Sequence, residues 1–105
     1  MVAKTVLPNA GEIRRRMSRA KVSLPKLGRF YIGSAVRLAG QELTGEELVD
    51  LLTQEINDFL RGPPNLAGTY YETSMRANIL KWVKAIVKEL PNREQVIDDA
   101  KAACE

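Results

Sequence analysis

Apolar residues in this chain return at three- and four-residue intervals in five places, each bounded by residues that start or stop helices. Ala10, Ile13, Met17 and Ala20 line one face of a segment that Asn9 is placed to cap and that runs to about Lys21. Leu24-Pro25 is extended, because a residue before proline is driven out of the α region. The next helix is expected from Pro25 to Ala39, opened by the proline and stopped by Gly40. Thr44 and Glu47 have the spacing of a capping box for a third helix, with Leu48, Leu52, Ile56 and Phe59 inward and Gly62-Pro63-Pro64 ending it after Arg61. A fourth, starting between Thr69 and Thr73 and ending at Leu90 before Pro91, turns Met75, Ile79, Trp82, Val83, Ile86 and Leu90 to one side. Asn92 with Gln95 repeats the cap pattern for a fifth, Arg93 to about Cys104, with Val96, Ile97 and Ala100 inward.

Alternation of period two is missing, except in KTVLP (Lys4 to Pro8), a short strand candidate in an extended amino-terminal segment, residues 1–8. The pattern therefore predicts an all-α fold: a compact bundle of four to five helices in one domain, residues 1–105, with a stiff two-proline connector from Gly62 to Gly68. Length agrees, since 105 residues, 45% of them hydrophobic, supply one core and not two.

Charge changes this picture. The net charge is only +3, yet residues 1–40 hold nine cations against the single acid Glu12, a local +8. Residues 41–60 hold six acids and no cation, and the remainder is close to neutral. Arg14, Arg15, Arg16 and Arg19 fan around the first helix outside its narrow apolar arc. On the second, Lys26, Arg29, Gly33 and Arg37 fall on one stripe, expected to face outward, with Gly33 allowing another backbone to come close. Lys81, Lys84 and Lys88 form a comparable line on the fourth helix, following Ala77. Glu46, Asp50 and Asp58 make an acidic line on the third, either solvated or docked on a basic face of this chain or of a second copy. In the latter case head-to-tail contacts would propagate into a row of subunits.

Several chemistries are excluded or disfavoured. With no histidine, imidazole acts neither as base nor as metal ligand. Glu46 and Glu47 are consecutive and splay apart on a helix, and GRFYIGS lacks the lysine and strand context of a phosphate loop. No enzyme activity, cofactor or metal is expected. Cys104, the single cysteine, has no disulfide partner and reads as an incidental thiol in a reducing compartment. No signal peptide or membrane-spanning run is read, so the expected location is the cytoplasm. Trp82 is assigned to the core. One of Tyr70 and Tyr71 must point outward, where it could stack on a base.

Guanidinium forks suit phosphate oxygens, and like charges at Arg15 and Arg19 repel unless an anion compensates. Zinc spacing, basic-zipper heptads and a helix-turn-helix are not recognisable, which points to backbone contact without base readout. The expected phosphate contacts are Arg14, Arg15, Arg16, Arg19, Lys26, Arg29 and Arg37, with Lys81, Lys84 and Lys88 second. In its size, helical class, basic character and few aromatics, the chain resembles the small helical subunits of CRISPR (Cascade-like) effector complexes. That resemblance carries no signature motif and assigns no residue. It implies a row along a guide or target strand, DNA or RNA as ligand, and two neighbours: a crRNA-binding backbone subunit and a large subunit. Two other readings use the same arginines: a protein-interaction or adaptor subunit facing an acidic partner, and a peripheral protein laying its first helix on anionic lipid. The narrow apolar arc disfavours the lipid reading.

Overall fold

The computed structural model describes residues 2–105. The chain folds into a mostly helical globule whose radius of gyration, 12.9 Å, is that of one compact body of this length, about 13 Å. Strand β1 (Thr5–Val6) pairs antiparallel with β2 (Glu42–Leu43), Thr5 opposite Leu43 and Val6 opposite Glu42. Six helices accompany them among the described residues: α1 (Ala10–Arg19), α2 (Gly28–Leu38), α3 (Gly45–Arg61), α4 (Tyr70–Ala77), α5 (Ile79–Val87) and α6 (Arg93–Cys104). The fold is thus not purely α, and the helices exceed the expected five. The strand is the one read from KTVLP, extended by the Leu7 amide donating to Gln41 O at 2.8 Å.

The core is built as the spacing predicts. Ile13 and Met17 of α1, Leu38 of α2, Leu48, Leu52 and Ile56 of α3, Met75 of α4, Trp82, Val83 and Ile86 of α5 and Val96 of α6 are all buried. Trp82 sits at its centre, its ring 4.9 Å from that of Phe30 and edge-on to Tyr31. The capping box is formed in both directions: the Glu47 amide donates to Thr44 Oγ1 at 3.1 Å, and the Thr44 amide donates to Glu47 Oε1 at 2.9 Å. Asn9 caps α1 by accepting from the Glu12 amide at 2.9 Å. Where α3 meets α6 the two backbones touch at Gly45. A β-carbon there would lie 2.0 Å from Val96 O.

Three boundaries and one cap differ from the expectation, each for a local reason. The single fourth helix breaks at Asn78. Its side-chain amide donates to Ser74 O at 2.7 Å, the acceptor its own backbone N–H would use in a continuous helix, and that N–H bonds Met75 O instead. Helix α5 stops at Val87, short of Leu90, and Glu89 takes a left-handed conformation with φ of 65°. Helix α2 starts at Gly28, not Pro25, because Lys26 is left-handed (φ 63°) and Pro25 stays in the preceding turn, its carbonyl accepting from Tyr71 Oη at 2.8 Å. Asn92 does not cap α6: it is left-handed, with its side chain donating to Lys4 O at 2.9 Å, while Gln95 bonds Asp99. Among the described residues, no helix is long and apolar enough to cross a membrane.

Candidate nucleic-acid interface

Burial of Ile13 and Met17 fixes the rotation of α1 and leaves Arg14, Arg15 and Arg19 exposed. Burial of Trp82, Val83 and Ile86 does the same for α5, turning Lys81 and Lys84 outward, with Lys88 at its carboxyl end. Because α1 packs alongside α5, cations separated by about seventy positions in sequence meet at one seam. A groove of about 340 Å³ opens there, lined by Arg16, Arg19 and Lys88 together with Glu12, Glu89 and two alanines. Farther along, Lys81 Nζ lies 3.4 Å from Lys21 O.

The ten candidate cations do not form one exposed ridge. Glu12 accepts from Arg15 Nη2 at 2.5 Å and from Arg16 Nε at 2.9 Å, and these two bonds hold its carboxyl below the ordinary value of 4.5. Arg16 is only 17% exposed and spends its Nη1 on the carbonyls of Ile86, at 3.0 Å, and Lys88. Arg37 is likewise engaged, with Glu55 Oε1 at 3.5 Å and with Gln54. Among the described residues, Arg14, Arg19, Lys26, Arg29, Lys81, Lys84 and Lys88 have no carboxylate within ion-pair distance.

The cations of the second-helix stripe, Lys26, Arg29 and Arg37, are exposed as expected, but Arg29 and Arg37 lean against α3. Arg29 lies over the Phe59 ring, its guanidinium carbon 5.0 Å from the centroid. A β-carbon at Gly33 would stand 3.1 Å from Glu55 Oε2, so Gly33 is a helix-packing glycine. Helix α2 also turns apolar side chains to the outside: Ile32 is 50% and Val36 70% exposed. On α3, Asp58 pairs with Arg61 of the same helix, while Glu46 and Asp50 are exposed.

A second cavity, about 400 Å³, was not foreseen. Lys26 and Arg29 stand beside Phe59, Pro63, Pro64, Leu66 and Tyr71, which supply a mostly apolar wall. By spacing alone Lys26 and Arg29 read as stripe cations and Tyr71 as half of a tyrosine pair. The bond from Tyr71 to Pro25 O, which joins the start of α4 to the turn before α2, and the contacts of the Phe59 ring with Arg29 and Tyr71 bring them together. Tyr70 is the outward member of its pair, 70% exposed. No cluster of metal-ligating side chains occurs among the described residues. No protein-family model, curated protein or solved structure matches the chain.

Proposed function

We propose that this protein is a non-enzymatic helical subunit that holds a nucleic-acid backbone, DNA or RNA, without reading bases, inside a larger ribonucleoprotein assembly such as a CRISPR effector complex. The observation that carries this reading is the seam between α1 and α5. Arg19 of α1 and Lys88, just past α5, line its groove, Lys81 and Lys84 are exposed along α5, and none of the four has a carboxylate partner among the described residues, although Glu89 shares the lining. Cations at helical spacing along two neighbouring helices suit a polyphosphate, whose charges also lie in a line. The acid that does enter the groove on α1, Glu12, is neutralised by Arg15 and Arg16.

Membership of an assembly is supported by the apolar outer face of α2. Ile32 and Val36 are one turn apart and both exposed, where a solitary helix of a small protein would carry polar side chains. Filter binding of labelled single- and double-stranded DNA and RNA of unrelated sequence tests the proposal. Affinities that are equal across sequences and fall steeply with salt support it. Binding to none of the four at low salt rejects it in favour of an acidic protein partner.

A further inference from the structure

The cavity between the start of α2 and the Pro63-Pro64 loop combines two features that seldom share a wall. Phe59, Pro63, Pro64, Leu66 and Tyr71 make its surface predominantly apolar, and Lys26 and Arg29 stand in the same lining. Its volume, about 400 Å³, lies within the range of small-molecule pockets, about 300–1,000 Å³. Neither cation is neutralised from within. Glu55 and Asp58 flank Arg29 on its other side, but Glu55 is engaged by Arg37 and Asp58 by Arg61. Gly62 leaves room for the arginine over Phe59, since a β-carbon there would be 2.9 Å from its Nη2.

A ligand matching this lining is flat or apolar at one end and anionic at the other. We propose that the cavity receives one unstacked nucleotide of a single strand, its base against Tyr71, Leu66 and the two prolines and its phosphate between Lys26 and Arg29. The proposal rests on the backbone-binding reading and adds to it strandedness and a place for a base. Stacking and apolar contact accept any base, so the absence of sequence preference is kept. A strand leaving the seam can reach the cavity. Lys21, beside Lys81, is five residues from Lys26, which puts the two within about 18 Å along the chain.

The test compares a twelve-nucleotide single strand with an abasic strand of equal length and charge, by fluorescence anisotropy on the intact protein. The abasic strand should bind about tenfold more weakly. The Tyr71→Leu variant should shrink the tenfold difference between the two strands to less than about twofold, whereas Tyr71→Phe, which loses only the bond to Pro25 O and keeps the ring, should preserve it. Photocrosslinking of a 5-iodouridine strand to the unmodified protein supplies a readout that needs no variant, with the adduct expected on Tyr71. Equal binding of the two strands, or adducts confined to Tyr70, overturns the base site while the backbone reading stands. If neither strand binds, the backbone reading itself fails.

Discussion

Arg16, in the middle of the first helix, closes the carboxyl end of α5: its Nη1 donates to Ile86 O at 3.0 Å and also to Lys88 O, with Glu12 holding Nε. The last carbonyls of a helix have no partner within it, and a cation placed there also opposes the helix dipole. One arginine of the basic cluster is therefore structural. Arg16→Ala should destabilise the fold by about 2 kcal/mol, the usual scale for hydrogen bonds from a charged donor. Urea denaturation measures this, and Arg16→Lys, which cannot reproduce the fork, should recover less than half of the loss.

Two glycines at helix contacts should behave oppositely when given a methyl group. At Gly45 the obstacle is backbone, Val96 O at 2.0 Å and Ala100 N at 2.6 Å, so Gly45→Ala should cost about 3 kcal/mol by forcing α3 and α6 apart. At Gly33 the obstacle is the end of the Glu55 side chain, which can move. Helix propensity gains there offset the crowding, and Gly33→Ala should change stability by less than about 1 kcal/mol. Thermal denaturation of the two variants checks the contrast.

Acid should weaken the fold through three glutamates. The Glu12 carboxyl is lowered by Arg15 and Arg16, Glu47 by the Thr44 amide, and Glu72 by the Gly68 amide and then Arg76. Each is lower in the folded chain than the ordinary 4.5, so the unfolded chain takes up protons first. Their stabilisation is complete above 4.5 and is lost as pH falls through the lowered folded-state values. Glu47→Gln keeps a capping-box side chain but cannot titrate. Its urea midpoint should fall less than that of the unmodified protein between neutral pH and acid.

The exposed pair on α2 should matter for association and not for folding. Ile32→Lys with Val36→Lys should leave stability within about 0.5 kcal/mol, the scale of surface changes. If α2 is a subunit contact, light scattering that rises with concentration in the unmodified protein should flatten in the double variant.

Helix positions and the core were legible because burial imposes the three-and-four spacing. Met75, Trp82 and Ile86 read as one inner stripe and are all buried, although Asn78 divides them between two helices. What the sequence could not show was competition for the same groups over long distance. Asn92 has the chemistry of a cap, but Lys4 O, eighty-eight residues away, takes its amide. The candidate site was legible to the same extent. Spacing put Arg14, Arg19, Lys81, Lys84 and Lys88 on outer faces, but not which helices would be neighbours. Arg29 and Arg37 are exposed as their spacing predicts, but spacing could not show that Phe59 and Glu55 on α3 would offer them partners.

The most direct measurement is the slope of log K against log salt for a single strand, taken for the unmodified protein and for two variants. With about four phosphates neutralised at the α1–α5 seam, the unmodified slope should be roughly −3. Changing Arg19, Lys81, Lys84 and Lys88 to glutamine should bring it to about −1 or shallower. Changing Arg15 and Arg37, already engaged with carboxylates of this chain, should alter it by less than about 0.5. An unchanged slope and affinity in the fourfold variant, or an equal loss in the twofold one, would contradict the assignment of a polyphosphate ligand to that seam.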